Sequence, residues 1–134
     1  PALIDETISV FKRGKWEYVT NGHGHYPDGM DTEIFTFSAL ERAHLKAKHT
    51  FARENVTTYI AGNIPKYGKG KFKRHTIKRN KDFSHIRWTL DTADDLKIIR
   101  ELTSKLPKNY SWMEALSVAT KNTKLLGTKV TKRK

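Results

Sequence analysis

The chain has 134 residues, of which 37% are hydrophobic and 10% aromatic, so it can form one domain of about 100–200 residues but not two complete cores. It contains no cysteine, which excludes disulfides, thiolate nucleophiles and zinc sites with cysteine ligands. Its net charge is +12, and no apolar run approaches the roughly 20 residues of a membrane span, so we expect a cytoplasmic protein that does not bind a membrane.

Most of the excess positive charge lies in two segments. Residues 66–81 carry eight basic side chains and no acid, and they overlap a turn-rich loop predicted over residues 65–70. Residues 121–134 carry six basic side chains and no acid. Positive charge is typical of proteins that bind polyanions, but no helix-turn-helix, zinc-finger or RNA-recognition signature is present. We therefore favour solvent-exposed charge over phosphate contacts or nucleic-acid binding.

The first part of the chain predicts a helix and two strands. Apolar side chains at helical spacing favour a helix over residues 3–11, with Gly14 as its stop. Aromatic and β-branched residues favour a strand over residues 16–19, and an alternating pattern favours another over residues 32–37. The intervening residues 21–29 are rich in turn formers, so we expect a loop there.

Two helices and an exposed strand are expected next. Ser38 and Glu41 fit the capping box of a helix over residues 39–48, which are strong helix formers. A short helix is predicted over residues 53–61 and an exposed strand over residues 72–78.

The last two helices carry the clearest start signals. Thr92 with Asp95 and Ser111 with Glu114 both fit the capping box, and apolar residues at helical spacing follow each pair. Pro107 separates the two helices. Helices and strands alternate along the chain, which predicts an α/β domain.

Two histidines lie close together in the turn-rich loop, in a sequence that has no G-x-S-x-G elbow, Walker A or G-x-G-x-x-G loop. His23 and His25 can point the same way in an extended segment. Two ligands do not make a metal site, so we favour a solvated loop over polar contacts to a substrate or metal binding.

The end of this loop carries further candidate binding residues. Tyr26, Asp28, Asp31 and Glu33 surround a Pro-Gly turn before the second predicted strand. Carboxylates at this position can hold sugar hydroxyl groups. The alternative is that Asp28 only forms the turn and Glu33 is an exposed strand residue, and for Asp28 we favour the turn.

An acid follows a short apolar strand predicted over residues 87–90. Because ligands gather at the carboxyl ends of strands in open α/β sheets, Asp91 is where a metal-binding acid is expected. The alternative is that Asp91, with Asp94 and Asp95, stabilises the start of the following helix by up to about 1 kcal/mol. The pattern alone does not decide between them.

Three motifs, in the order in which they occur along the chain, resemble those of the acylneuraminate/KDO-type cytidylyltransferases, most closely the spore-coat polysaccharide biosynthesis subgroup. The longest is S-H-I-R-W-T-L-D-T-A-D-D-L over residues 84–96. It is preceded by Y-P-D-G-M-D-T-E over residues 26–33 and by R-E-N-V-T over residues 53–57. Asn55 departs from the pattern, since the family has histidine there.

The resemblance implies the C-terminal portion of a glycosyltransferase-A-like (nucleotide-diphospho-sugar transferase) fold, and transfer of CMP from CTP to an acidic or modified sugar. It implies Mg²⁺ as cofactor, with Asp91 as a metal-binding acid. The substrate-binding residues that it implies are Tyr26, Asp28, Asp31, Glu33, Arg53 and Glu54.

The nucleotide-binding loop and the first metal acid of the family precede the part that is matched, and the chain begins with Pro1 rather than Met. We therefore expect a sugar-binding and metal-completing half over residues 1–120, a flexible basic tail over residues 121–134, and no transfer by this chain alone. Its expected partners are CTP and a sugar through the complete enzyme, and either a second copy or a nucleotide-binding half. The alternative is a basic, non-enzymatic module that binds nucleic acid or another polyanion.

Overall fold

The computed structural model describes residues 2–62, 64, 66 and 70–127. Most of the predicted loop over residues 65–70, and the predicted tail from residue 128 onward, lie outside the described residues. The chain divides into two compact units. The sheet unit is formed by Leu3–Asn21 and Thr32–Ile77, and the cleft unit chiefly by Gly22–Asp31 and residues 78–127.

Three short strands form the sheet of the sheet unit in the order β2–β1–β3. They are β1 (Tyr18–Thr20), β2 (Glu33–Phe35) and β3 (Arg74–Thr76). The central strand β1 is fully buried and pairs antiparallel with β2 and parallel with β3. Three of the four predicted strands are confirmed within their predicted ranges, except that β1 extends one residue beyond its predicted end.

Four helices belong to the first part of the chain: α1 (Ala2–Arg13), α2 (Phe37–Lys46), α3 (Thr50–Glu54) and α4 (Thr58–Ala61). The predicted capping box of α2 is wrong. Thr36 has an extended backbone and its hydroxyl accepts from the Ala39 N–H (3.1 Å), so α2 begins at Phe37 and Ser38 already lies within its first turn.

The helix predicted over residues 53–61 is also wrong, because the chain forms α3 and α4 with a break between them. The side-chain amide of Asn55 donates to the Phe51 carbonyl (2.9 Å) and so satisfies an acceptor at the end of α3. Gly62 ends α4 with a left-handed backbone (φ 63°).

The core of the sheet unit packs α2 and α4 against β1. Its buried residues are Tyr18, Ala39, Ala43 and Ile60, with Phe35, Tyr59, Ala61 and Phe72 partly buried around them. The small side chains of α2 allow that helix to approach the sheet closely.

The cleft unit contains α5 (Ala93–Ser104), α6 (Trp112–Lys121) and a 3₁₀ helix (Thr123–Leu126). Both predicted capping boxes are confirmed, at the start of α5 and at the start of α6. Leu125 of the 3₁₀ helix is 1% exposed and packs with Leu102, Ala115 and Ala119. Within the predicted tail over residues 121–134, Lys121 is the last residue of α6 and Thr123–Leu126 form the 3₁₀ helix.

The strand predicted over residues 87–90 is not formed. A single parallel bridge joins Arg87 to Asp28, through hydrogen bonds of the Asp28 backbone with the Ile86 carbonyl (2.9 Å) and the Trp88 N–H (2.8 Å). The Arg87 N–H binds the carbonyl of Leu126 (2.9 Å) instead of a neighbouring strand. Asp91 therefore follows an irregular segment, directly before the N-cap of α5.

Candidate functional site

The loop over Gly22–Asp31 is held by the segment that follows Lys78. The Arg79 N–H donates to the carbonyl of Gly24 and the Phe83 N–H to that of His25, both at 2.9 Å. His25 Nδ1 donates to the Arg79 carbonyl (2.8 Å), which places the ring proton on that nitrogen. His23 and His25 have left-handed backbones (φ 59° and 70°), a conformation that the two-sided hydrogen bonding of the loop maintains.

These two segments enclose a cleft of about 410 Å³ within the cleft unit. The cleft offers carboxylate, imidazole, phenol and hydroxyl groups, and this mixture of donors and acceptors suits the hydroxyl groups of a small polar ligand. Its lining residues are His23, His25, Tyr26, Asp28, Asp31 and Ser84.

Gly29 sets the path of the loop between the two acids of the cleft. Its backbone is left-handed (φ 95°), and a Cβ atom there would lie 2.6 Å from the carbonyl group of Trp88. Only glycine meets both conditions without strain. The turn that the sequence predicts is therefore confirmed, and it fixes the separation of Asp28 from Asp31.

Arg87 joins three carboxylates beside this cleft. It lies 2.7 Å from Asp91, 3.3 Å from Asp95 and 3.6 Å from Asp28, and its side chain is only 14% exposed. We call these four residues the Arg87 cluster. The hydrogen bond that Arg87 donates to the Asp91 carboxylate raises the pKa of Arg87 above its ordinary value, so the guanidinium stays charged.

The pKa of Asp95 is below its ordinary value. The main cause is the hydrogen bond from the backbone N–H of Asp91, assisted by Thr92 and by the Arg87 side chain. Asp95 thus caps α5 and at the same time fixes Arg87. Sequence analysis identified the capping role and missed Arg87 itself, although Arg87 opens the R-W-T motif.

Four of the sequence-predicted site residues lie in or beside the cleft. Tyr26, Asp28 and Asp31 line it, and Asp91 is linked to Asp28 through Arg87. Asp28 is part of the turn and also lines the cleft, so its role in holding a sugar hydroxyl stays a prediction.

The other three predicted site residues lie in the sheet unit. Glu33 accepts a hydrogen bond from the Tyr18 hydroxyl. Arg53 donates to two backbone carbonyls at the C-terminal end of α2, at 2.9 and 3.3 Å, and lines a separate groove of about 110 Å³. Glu54 is exposed at the end of α3. The described contacts of Glu33 and Arg53 are therefore contacts that stabilise the fold.

No group of three or more histidine or acidic side chains is arranged to hold a metal ion within the part of the chain that the structure describes. The carboxylate of Asp91 is 67% exposed and is bound by a guanidinium, which repels a cation. The other two acids of the Arg87 cluster are bound to the same guanidinium. These residues do not by themselves fit Mg²⁺, and metal binding by Asp91 stays a prediction.

Comparison with known proteins finds similarity to an archaeal protein and to a solved structure. The chain is 35% identical over 102 residues to an uncharacterised protein of Methanocaldococcus jannaschii, a match that covers 75% of this chain and 39% of the relative. The structure matches a cytidylyltransferase from Leptospira borgpetersenii with a TM-score of 0.82 and 26% identity, over 98% of this chain and 55% of that one. The chain resembles part of a cytidylyltransferase.

This likeness confirms the mixed α/β fold and its similarity to a cytidylyltransferase. The chain spans about half the length of the structure that it matches, and less than half that of the archaeal relative. No family model matches it. Among the described helices, none has the length and apolar character to cross a membrane.

Proposed function

We propose that this chain is the C-terminal, sugar-binding part of a sugar cytidylyltransferase with a glycosyltransferase-A-like fold. The complete enzyme would transfer CMP from CTP to an acidic or modified sugar used in surface polysaccharide synthesis. The observation that carries the proposal is the structural match to a cytidylyltransferase over 98% of the chain. The match extends over only 55% of that enzyme, which leaves a further portion to supply the nucleotide site.

The cleft supports a sugar-binding role. Asp31 and Asp28 provide acceptors for hydroxyl groups, and Tyr26 and Ser84 provide hydroxyls that both donate and accept. Arg87 neutralises part of the acidic charge at Asp28, which allows a ligand with its own negative charge to approach. Glu33, Arg53 and Glu54 keep their predicted substrate roles only through the family resemblance.

The remaining predictions belong to the complete enzyme. CTP would bind through the complete enzyme, with Mg²⁺ as its cofactor, and this chain would pair with a nucleotide-binding half or with a second copy. The complete enzyme would be cytoplasmic. The described residues do not by themselves form a metal site. The isolated chain is expected to be inactive, since transfer needs both reactants held in line at one site.

A basic polyanion-binding module is supported less well. The sheet unit contains a wide cleft of about 610 Å³ that includes Lys71, Lys73 and Arg74. The Arg74 guanidinium, however, donates to the backbone carbonyls of Ile60 and Gly70, and so has a structural role. Polyanion binding would fall steeply as salt increases, whereas binding to a sugar cleft would change little.

The test is CMP transfer by a chimera in which this chain replaces the matched 55% of the Leptospira borgpetersenii enzyme. We expect pyrophosphate release from CTP that requires both Mg²⁺ and a sugar from a panel of sugar acids. Asp31→Asn should lower transfer about tenfold or more, because a charged hydrogen bond to a hydroxyl contributes about 1.5–3 kcal/mol. Asp94→Asn, an exposed acid paired with Lys97 on α5, is the matched control and should not change transfer.

Two results would contradict the proposal. One is a chimera that unfolds cooperatively like the parent enzyme yet releases no pyrophosphate with any sugar of the panel. The other is release by the isolated 134-residue chain, which would place a complete nucleotide site within it.

A further inference from the structure

The Arg87 guanidinium joins the loop over Gly22–Asp31, which we call the cleft loop, to the start of α5. Its Nη2 lies 2.7 Å from Oδ2 of Asp91 and 3.3 Å from Oδ2 of Asp95. Its Nη1 lies 3.6 Å from Oδ2 of Asp28 in the cleft loop. One cation therefore serves three carboxylates that would otherwise repel one another.

The backbone of Arg87 keeps this cation in place. Its N–H donates to the carbonyl of Leu126 (2.9 Å), and a parallel bridge pairs it with Asp28. The side chain is largely buried, unlike that of an ordinary surface arginine. The guanidinium is thus a fixed charge of the cleft unit, with the planar geometry that suits carboxylates.

Asp91 is the acid for which the guanidinium and a metal ion would compete. Oδ2 of Asp95 already accepts from the backbone N–H groups of Asp91 (3.0 Å) and Thr92 (2.9 Å). The Asp91 carboxylate is 67% exposed and accepts a hydrogen bond from Arg87. A divalent cation on this carboxylate would lie next to the guanidinium, and like charges at that separation repel each other strongly.

We infer that Arg87 is an internal competitor of divalent cations for Asp91, so that the isolated chain keeps this carboxylate paired with Arg87 and does not bind Mg²⁺ there. The pairing explains why the acid that the family resemblance implies as a metal ligand does not fit a metal ion in the structure. The inference concerns this chain alone and goes beyond the proposed function, because it requires neither CTP nor a sugar. Arg87 would have to leave Asp91 before that carboxylate could accept a cation in the complete enzyme.

The test is a titration of the full chain with Mg²⁺ at constant ionic strength, followed by NMR and calorimetry. The unmodified chain should show no saturable amide shifts over residues 91–95. Arg87→Met removes the competing charge and should bind Mg²⁺ about tenfold or more tightly than the unmodified chain, the ratio that one charged hydrogen-bonding pair provides. Adding Asp91→Asn to that variant should abolish the gain.

Two further variants keep the result interpretable. Arg100→Met removes the same charge from an exposed position on α5 and is the matched control. It should leave the Mg²⁺ affinity unchanged, because Asp91 stays paired with Arg87. Arg87→Gln replaces Arg87→Met if that variant does not fold, since an amide can donate to a carboxylate without carrying a charge.

The inference is wrong if the unmodified chain binds Mg²⁺ with saturable shifts over residues 91–95 that Asp91→Asn removes, a result that needs no Arg87 variant. It is also wrong if Arg87→Met raises the affinity no more than Arg100→Met, because net charge would then explain the change. A chimera without CMP transfer would refute the proposed function and leave this inference standing. Binding of Mg²⁺ at Asp91 in the unmodified chain would refute this inference alone.

Discussion

The two units use the same charged residue types in different ways. In the sheet unit, most of these side chains bind the backbone: Arg53 and Arg74 donate to carbonyl groups, and Glu17 accepts from the N–H of Lys73 (2.9 Å) while also pairing with Arg42 (2.7 Å). In the cleft unit, three carboxylates meet around Arg87, of which only Asp95 also accepts from described backbone N–H groups, and Asp28 and Asp31 line an open cleft.

This difference separates structural from ligand-binding candidates. A side chain that satisfies backbone groups is committed to the fold, since its loss leaves those groups unpaired. Carboxylates and a guanidinium at the edge of a cleft can exchange a water molecule or a neighbouring side chain for a ligand, and this exchange leaves no backbone group unpaired. The cleft unit is therefore where a functional role for the charged residues is expected, and the predictions below challenge that division.

The largest expected effects are on the cores of the two units, which should be equally sensitive. Ile60 in the sheet unit is 0% exposed and Leu125 in the cleft unit is 1% exposed. Ile60→Ala and Leu125→Ala should each lower the free energy of unfolding by about 2–5 kcal/mol in denaturant titrations. Leu90→Ala, at a residue that is 60% exposed, is the control and should change it little. A small effect of Leu125→Ala would mean that the 3₁₀ helix is not part of the core.

Gly29→Ala tests whether the cleft loop has a fixed shape. A left-handed backbone costs about 1–2 kcal/mol for a residue with a Cβ atom, and the contact with the Trp88 carbonyl adds to it. We expect a loss of stability of at least that size, together with amide shifts across Gly22–Asp31. Asn80→Ala, at an exposed residue of the same unit, should leave both unchanged. A neutral Gly29→Ala would show that the loop is not held as described.

A matched pair of substitutions tests the start of α2 in the sheet unit. Thr36→Ala removes the capping hydroxyl and should lower the free energy of unfolding by about 1 kcal/mol. Ser38→Ala should have a smaller effect, because Ser38 lies within the first turn. If Ser38→Ala lowers the stability in thermal unfolding more than Thr36→Ala does, the result would favour Ser38 as the N-cap, as the sequence predicts.

The smallest effect concerns acid stability, through Asp95 in the cleft unit. The pKa of Asp95 is lowered in the folded state, chiefly by the Asp91 N–H, whereas in the unfolded chain it is about 4. The ionised carboxylate therefore stabilises the fold above about pH 4, and this contribution is lost as pH falls from there through the folded pKa. Asp95→Asn should flatten the decline of stability in that range, measured by urea unfolding from pH 6 to pH 2. If Asp94→Asn flattens it equally, the effect is one of net charge.

How much the sequence predicts depends on how local the signal is. The capping boxes at Thr92 and Ser111 are confirmed because each is complete within four residues. The strand predicted before Asp91 is not formed, because strand formation requires a partner, and Arg87 binds Leu126 and the Asp28 region instead. No local pattern encodes that choice.

Residues of the candidate site are likewise predicted where they lie close together in sequence, and missed where they do not. Tyr26, Asp28 and Asp31 were identified because they adjoin one turn, and the structure brings them to one cleft. Sequence analysis misses Ser84 as a cleft residue, because hydrogen bonds of Arg79 and Phe83 hold its segment against a loop more than 50 residues earlier. Arg87 was seen only as part of a motif, since its three acidic partners are distributed over 67 residues between Asp28 and Asp95.

The measurement that tests the central claim most directly is an NMR titration of the chain with the panel of sugar acids. The account predicts that amide shifts concentrate in Gly22–Asp31 and in residues 79–87, and that Asp31→Asn weakens binding about tenfold or more while Asp94→Asn does not. Shifts confined to the basic residues 70–78, or equal effects of the two variants, would contradict the assignment of the cleft as a sugar site.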